Sequence, residues 1–356
     1  MNLIVFQYRY IRRRIIVNSL KKNEPIKRSN IKVMRFLYLI LLLVFFSCQE
    51  KKIAKASTRF ECQPSAKESG VSLILLGTVQ DAGAPQLNCN KKCCQGLFDQ
   101  ADSSRSVSSL GLLDFNTQKK YLFDATPDIS TQLHALKNAS KILLSSIVDG
   151  IFLTHAHIGH YTGLMYFGKE AASTKNIPVF AMPKMSSFIS NNGPWSQLVA
   201  QRNIVLQPLV ANQAVVLSPS LQVTPFLVPH RDEYSETVGY LIEGPHKKAL
   251  FIPDIDKWNR WELDLATELK KVDYAFLDAT FYSAEELGNR DMSQIPHPSV
   301  LETIQTLKDF SMEERAKVIF THFNHTNPLL DNASEATKKV LALGFKIGRI
   351  HDRFPL

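Results

Sequence analysis

Short apolar runs alternate with polar and glycine-containing stretches from Val71 to the end of the chain. Apolar runs bounded by turn residues are typical of buried strands, and apolar positions three and four residues apart are typical of helices. The alternation predicts a mixed α/β domain. Strands are predicted at 71–76, 110–115, 120–124, 150–154, 178–181, 215–217, 222–228, 238–243, 249–252, 274–278 and 318–321, and helices at 129–137, 161–172, 299–307 and 334–343.

The N-terminal part of the chain has a different character. Phe36–Phe46 is an unbroken run of 11 apolar residues with Arg35 just before it, and Ser47 and Cys48 follow. A basic flank, a short apolar core and a small residue are typical of a secretory signal, and the run is shorter than the ~20 residues that span a bilayer. Its end resembles a bacterial lipobox. This resemblance implies export and a lipid anchor on Cys48, on the periplasmic or surface side of the cell envelope.

The sequence therefore divides into three predicted parts. Residues 1–48 are predicted to be a signal and lipoprotein leader, within which Met34 begins a signal of ordinary length. Residues 49–70 are polar and rich in Lys, Ser and Glu, which predicts a tether. Residues 71–356 are predicted to form one domain, because no stretch of linker composition interrupts them.

The net charge of +9 comes from the leader rather than from the domain. Residues 1–55 contain 13 Lys/Arg and 2 Asp/Glu, whereas the remaining residues contain 29 and 31. The domain is therefore nearly neutral, and it has no basic stripe interleaved with aromatic residues. Nucleic-acid binding is not expected. We expect a small-molecule substrate.

Three histidines lie within six positions, directly after the predicted strand at 150–154. They are His155, His157 and His160, in the segment Thr-His-Ala-His-Ile-Gly-His. Neutral imidazole is a common zinc ligand, and a tight loop at a strand end can direct several rings at one ion. The spacing predicts a metal site, and three unrelated loop histidines are the alternative.

This loop resembles the His-x-His-x-Asp-His signature of the metallo-β-lactamase superfamily, over roughly residues 72–330. The resemblance implies an α/β fold, the metallo-β-lactamase-type four-layered αββα sandwich with mixed sheets. Asp124 would support the site through hydrogen bonds. By the same resemblance, the first metal position would be formed by His155, His157, His230 and Asp254, and the second by His160, the bridging Asp254 and His322.

Gly159 stands where the superfamily signature has an aspartate. Glycine offers no ligand atom, so the second position is weak, empty or completed by another residue. A single-metal site holding iron rather than zinc is therefore an alternative to a pair of zinc ions. We expect one or two zinc ions, or iron.

A cysteine cluster follows the first predicted strand. Cys89, Cys93 and Cys94 lie within six residues, and adjacent cysteines pair poorly with each other in a disulfide. Such clusters more often indicate a metal site, and His325 offers a fourth ligand three residues after His322. A redox pair or free thiols are the alternatives.

The cysteine cluster and the segment that follows His322 are similar to the corresponding segments of two families within the superfamily. The PqqB family of pyrroloquinoline quinone biosynthesis has a similar Pro-Gln…Asn-Cys stretch and a similar Thr-Asn-Pro segment. The PhnP family of cyclic phosphodiesterases has a structural zinc on three cysteines and one histidine. Both use Cys-x-Cys-x-x-Cys, whereas this chain has Cys-x₃-Cys-Cys. The resemblance, which fits the PqqB family better, implies a structural zinc at Cys89, Cys93, Cys94 and His325.

Asp278 ends the predicted strand at 274–278, and His297 precedes a predicted helix. This arrangement resembles that of the transfer-RNA 3′-processing nucleases of the superfamily, in which an acid orients a histidine that protonates the leaving group. The resemblance implies that Asp278 orients His297 as the general acid, and that Asp254 or His297 manages the water proton. The alternative is that both residues are structural, with His297 at the start of a helix and Asp278 a buried, capped aspartate.

Together these features favour a PqqB-like, metal-dependent hydrolase that acts on an ester or phosphodiester of a small molecule. A PqqB-like, iron-dependent oxygenase is the second hypothesis, and only this one requires O₂. A non-catalytic, anchored metal-binding protein is the third, and it predicts metal binding without turnover.

Overall fold

Two seven-stranded mixed sheets face each other in the part of the chain that the structure describes, and helices cover their outer faces. The computed structural model describes residues 69–140, 146–288 and 291–356. One apolar core lies between the sheets, and one lies between each sheet and its helices. The predicted αββα sandwich is thereby confirmed.

The first sheet combines the first six strands with the last one. These strands are β1 (Val71–Gly77), β2 (Ser109–Asp114), β3 (Lys119–Phe123), β4 (Gly150–Phe152), β5 (Ile177–Ala181), β6 (Ile204–Pro208) and β14 (Arg353–Pro355). Their order is β14-β1-β2-β3-β4-β5-β6. The pairs from β14 to β3 are antiparallel, and those from β3 to β6 are parallel.

The second sheet repeats this division between antiparallel and parallel pairing. Its strands are β7 (Val215–Ser218), β8 (Leu221–Leu227), β9 (Val238–Glu243), β10 (Lys248–Ile252), β11 (Tyr274–Asp278), β12 (Val318–Thr321) and β13 (Lys346–Ile347). They lie in the order β13-β12-β11-β10-β9-β8-β7. Pairs from β7 to β10 are antiparallel, and pairs from β10 to β13 are parallel.

The helices pack on the sheets through apolar positions at helical spacing. In the helix Ile129–Ser140, the side chains of Ile129, Leu136 and Ala139 enter the core against the first sheet. Ser299 and Glu302 form a capping box that fixes the start of the helix Val300–Thr306. The α-helices are α1 (Lys92–Gln95), α2 (Ile129–Ser140), α3 (Ile158–Tyr161), α4 (Pro183–Asn191), α5 (Trp195–Ala200), α6 (Leu265–Lys270), α7 (Val300–Thr306), α8 (Met312–Arg315) and α9 (Glu335–Ala342).

The helix predicted at 161–172 is wrong. Helix α3 ends at Tyr161, a 3₁₀-helix follows at Thr162–Phe167, and turns replace the rest. The reason lies at Gly163, whose N–H donates to Ala125 O at 2.9 Å, and a Cβ there would lie 2.0 Å from Thr126 O. This contact with the loop after β3 prevents a regular α-helix.

Aromatic rings hold the two sheets together directly behind the strand ends. Phe123 stacks on Phe152 at a ring-centroid distance of 5.1 Å and meets Tyr240 and Phe251 of the other sheet edge-on at 5.2 and 5.8 Å. Because Phe123 contacts both sheets and is fully buried, we expect Phe123→Ala to destabilise the fold by ~3–5 kcal/mol. The shift in the urea unfolding midpoint measures this loss.

The matched control is Phe98→Ala, because Phe98 is 56% exposed. Its effect on the free energy of unfolding should stay within about 0.5 kcal/mol. Equal midpoints for the Phe123 and Phe98 variants would contradict the proposed role of the ring at the sheet interface.

The leader at 1–48, the Cys48 anchor and nearly all of the tether lie outside the described residues, so they stay predictions of the sequence. Within residues 69–140, 146–288 and 291–356, no helix has the length and hydropathy needed to cross a bilayer.

Candidate metal centre

The carboxyl ends of the parallel strands carry most of the candidate site. Asp124 follows β3, and His155 comes three residues after β4. In the other sheet, Asp254 comes two residues after β10 and His322 directly follows β12. Parallel strand ends meet at one edge of a sheet, and here the edges of both sheets contribute.

Two of these residues adopt a backbone conformation that is uncommon for side-chain-bearing residues. Asp124 has φ of 65° and His322 has φ of 64°. Non-glycine residues in the left-handed region carry local strain, and such residues cluster at functional sites.

The first group of potential ligands consists of His155, His157 and His230, whose ring nitrogens lie within 4.8 Å of one another. The Nε2 atom of His155 faces the Nδ1 atom of His157 at 2.8 Å. The other nitrogen of the His157 ring, Nε2, lies 3.2 Å from a carboxylate oxygen of Glu233. A carboxylate on the far side of a ligating imidazole fixes the ring orientation.

The second group surrounds the Oδ2 atom of Asp254. This oxygen lies 2.9 Å from Nε2 of His160 and 3.0 Å from Nε2 of His322. Asp254 also lies between the two groups, because Oδ2 is 3.7 Å from His155 Nε2 and Oδ1 is 3.7 Å from His230 Nε2. Its carboxylate can therefore serve both metal positions.

Asp81 joins the second group. Its Oδ1 atom lies 2.8 Å from His160 Nε2 and 3.2 Å from His322 Nε2. This residue is not among the ligands predicted from the sequence. Gly159 leaves the family loop without its carboxylate, which shows that a ligand is missing but not that Asp81, four residues after the strand β1, replaces it.

Several buried polar atoms of the site have no well-directed hydrogen bond within the described part of the chain, which is compatible with a bound cation. Among the described residues, both ring nitrogens of His230 and both carboxylate oxygens of Asp254 are buried without a well-directed hydrogen bond. A buried carboxylate is normally paired or coordinates a metal, because its burial otherwise costs several kcal/mol, and the imidazoles around Asp254 allow either arrangement. Imidazole and carboxylate donors fit zinc, and they also fit iron.

Burial keeps two rings of the first group, those of His155 and His230, neutral. It lowers the pKa of His230 to about 4, and it lowers the pKa of His155 well below its ordinary value. In the second group burial opposes protonation too, but the Asp254 and Asp81 carboxylates together outweigh it and raise the pKa of His322 to about 10. Neutral imidazoles have a lone pair free for a metal ion, and an ion in the second group would displace the proton.

Hydrogen bonds to neighbouring side chains orient the ligands. Asp124 is fully buried; its Oδ2 lies 2.7 Å from Nδ1 of His160, and Thr154 donates to its Oδ1. On the other sheet, Oγ1 of Thr280 lies 2.9 Å from Nδ1 of His322. These contacts leave Nε2 of both histidines directed at Asp254.

His297 lies beside the candidate metal ligands and is paired with Asp278. Its Nδ1 atom is 2.8 Å from Asp278 Oδ2, 3.2 Å from Thr280 Oγ1 and 3.4 Å from Asp254 Oδ1. Burial alone would lower the pKa of His297, but the carboxylates of Asp278 and, to a smaller extent, Asp254 outweigh it and raise the pKa. The geometry fits a histidine oriented by Asp278, and its distance from Asp254 also allows a role as a ligand.

The four residues of the cysteine cluster come together as well. The Sγ atoms of Cys93 and Cys94 are 4.0 Å apart, and they lie 3.5 and 3.3 Å from Nδ1 of His325. A tetrahedron with zinc–sulfur bonds of ~2.3 Å and zinc–nitrogen bonds of ~2.0 Å has edges of about 3.5–3.8 Å. Cys89 belongs to the same group, and these cysteines form no disulfide.

Comparisons with known proteins agree with this architecture. The family model described as Beta-lactamase superfamily domain matches residues 119–323. Coenzyme PQQ synthesis protein B of Xanthomonas campestris pv. campestris (strain B100) is 25% identical over 302 residues, which cover 79% of this chain and 97% of that protein.

Two solved structures share the fold. Zn(2+)-bound PqqB from Methylobacterium extorquens has a TM-score of 0.64 and 23% identity, covering 80% of this chain and 100% of that one. A diphosphatase from the PhnP family has a TM-score of 0.55 and 20% identity, with coverages of 80% and 97%.

Proposed function

Because the chain belongs to the β-lactamase superfamily, with a PqqB-like fold, we propose that it is a metal-dependent hydrolase of a small ester or phosphodiester. The first metal position would be held by His155, His157, His230 and Asp254. His160, Asp254 and His322 would contribute to the second.

The buried carboxylate of Asp254 is the observation that carries this proposal. Its Oδ2 atom lies 2.9–3.0 Å from the ring nitrogens of His160 and His322 in the second group. Its two oxygens also lie 3.7 Å from the ring nitrogens of His155 and His230 in the first group. Neither of its oxygens has a well-directed hydrogen bond among the described residues. A shared, desolvated carboxylate of this kind suits a pair of metal ions.

Zinc, when bound, supplies Lewis-acid activation of water and of the substrate. The remaining chemistry would belong to residues of the chain. Asp278 holds Nδ1 of His297, so Nε2 of that ring is the atom from which a proton would pass to the leaving group. Asp124 and Thr280 keep the ligand rings in place while the substrate binds.

We also propose a structural zinc at Cys89, Cys93, Cys94 and His325. The near-tetrahedral spacing of the sulfur and nitrogen atoms supports it. Such a site would join the segment after β1 to the segment after β12.

Metal removal tests the hydrolase proposal. The purified full chain should contain zinc by mass spectrometry and should hydrolyse members of a panel of phosphodiesters and esters. A chelator should abolish turnover, because the activation of water is lost with the metal, and added zinc should restore it. Turnover that persists in the metal-free protein would overturn the proposal, and metal binding without turnover on the panel would favour a binding protein.

A second candidate function is a step in the synthesis of the cofactor PQQ, supported by the name of the relatives that match 79–80% of this chain. An oxidative step of this kind would consume O₂. Parallel aerobic and anaerobic assays separate it from hydrolysis, which proceeds equally in both.

A further inference from the structure

Asp81 fills the space in which a side chain at position 159 would lie. A Cβ atom built on Gly159 would be 2.5 Å from Cα of Asp81 and 2.6 Å from its Oδ1. Real Cβ atoms essentially never approach other heavy atoms below 3.0 Å. The glycine in the histidine loop and the aspartate after β1 are therefore a matched pair, because any larger residue at 159 would exclude the Asp81 segment from its place.

The Asp81 carboxylate also has the position of a ligand. Its Oδ1 atom lies within 3.2 Å of Nε2 of both His160 and His322, and the same two nitrogens lie within 3.0 Å of Asp254 Oδ2. The side chain is 10% exposed. Two imidazole nitrogens and two carboxylate oxygens form a four-donor set that suits zinc or iron.

We propose that Asp81 is the carboxylate ligand that completes the second metal position, and that the cysteine cluster fixes the loop that carries it. The proposal rests on the metal centre of the proposed function. It assigns to Asp81 the ligand role that the family signature gives to the residue at position 159.

The loop after β1 has little regular structure of its own. Residues 81–88 are turns, and the loop then leads into the three cysteines of the cluster. Gln86 donates its backbone N–H to Cys94 Sγ at 3.4 Å. A metal ion on the cluster would therefore hold the loop at its far end.

The same ion would tie the loop to the segment that carries His322. His325 of the cluster lies three residues after His322. Between them, Phe323 accepts a hydrogen bond from Gln80 N–H at 2.8 Å and donates one to Thr78 O at 2.7 Å. The segment after β1 and the segment after β12 would thus each supply ligands to the second metal position and to the cysteine cluster. Metal binding at the cluster would therefore affect metal binding at the second position.

Metal counts on the full chain test the role of Asp81. Asp81→Ala and the isosteric Asp81→Asn should each bind one metal ion fewer per chain than the wild type, by mass spectrometry after equilibration with zinc. The control is Asp99→Ala, because Asp99 is an exposed acid shortly after the cysteine cluster. Wild-type metal content in both Asp81 variants would overturn the proposal.

Gly159→Ala is the sharper variant, because it removes no ligand atom. The added methyl group should displace the Asp81 segment and lower the metal count by the same one ion. The control is Gly96→Ala, since a Cβ at Gly96 meets nothing within 4 Å. An unchanged metal count in folded Gly159→Ala protein, checked by circular dichroism, would contradict the steric exchange.

Cys93→Ser tests the coupling. It should lose the ion of the cluster and raise the zinc dissociation constant of the second position by roughly 10–100-fold, as removal of a supporting contact does. Calorimetric titration of the metal-free protein measures this constant. An unchanged second-position affinity would overturn the coupling. A wild type that binds these ions but hydrolyses nothing would count against the proposed function alone.

Discussion

Asp254→Asn is expected to remove the metal ions of both catalytic positions and to lower kcat/KM by at least ~10³-fold. The reason is the shared position of this carboxylate, which lies within 3.0 Å of His160 and His322 and 3.7 Å from His155 and His230. Asparagine keeps the shape but removes the charge. A metal contributes several kcal/mol of transition-state stabilisation, and ~4 kcal/mol corresponds to about 10³ in rate.

Mass spectrometry of the purified variant measures the metal count, and steady-state kinetics measure the rate. The matched control is Asp256→Asn, two residues away, because Asp256 pairs with Arg260 instead of with the site. The cysteine cluster should keep its ion in both variants, which separates loss of the catalytic ions from unfolding. A variant at 254 with full metal content and near-normal rate would refute the bridging role.

Much of the fold could be predicted from the local pattern of the chain. The strands at 238–243, 274–278 and 318–321 have the predicted bounds, because each is a buried apolar run with a clear break on either side. The edge strand β6 and the helix α4 were missed. Pro183 and three serines dilute the apolar periodicity of α4, and only packing against the first sheet selects a helix there.

The order of the histidine motifs predicted which residues meet at the site. His155, His157 and His230 come together, as do His160, Asp254 and His322, although His155 and His322 are far apart in sequence. Such long-range proximity follows from the fold and not from local spacing, so it was accessible only through the family resemblance.

Asp81 could not be found in this way. The family resemblance has no ligand at that place, and a residue in a loop without regular structure gives no periodic signal. What locates it is the close approach of two loops, Asp81 on one and Gly159 on the other. The sequence showed a missing carboxylate, and only the folded chain shows where another one lies.

Both sheets contribute residues to the site because both have the same division between antiparallel and parallel strands. In each sheet the parallel strands lie on one half, and their carboxyl ends carry Asp124 and His155 in one sheet and Asp254, Asp278 and His322 in the other. The second sheet thus supplies two candidate ligands, Asp254 and His322, and the pair of Asp278 and His297 lies beside Asp254. The residues that would bind metal and those that would transfer protons would then lie on the same side of the site.

His297→Ala is expected to lower kcat by ~10²–10⁴-fold on a substrate with an alkoxide leaving group and far less on its 4-nitrophenyl counterpart, which departs without a proton. Since Asp278 raises the pKa of His297, the wild-type rate should fall as pH rises above the ordinary histidine range, and the variant should lack this limb. The metal count should not change, and exposed His246→Ala serves as the control. Loss of a metal ion in His297→Ala would instead make His297 a ligand beside Asp254, and equal losses on both substrates would exclude it as the acid.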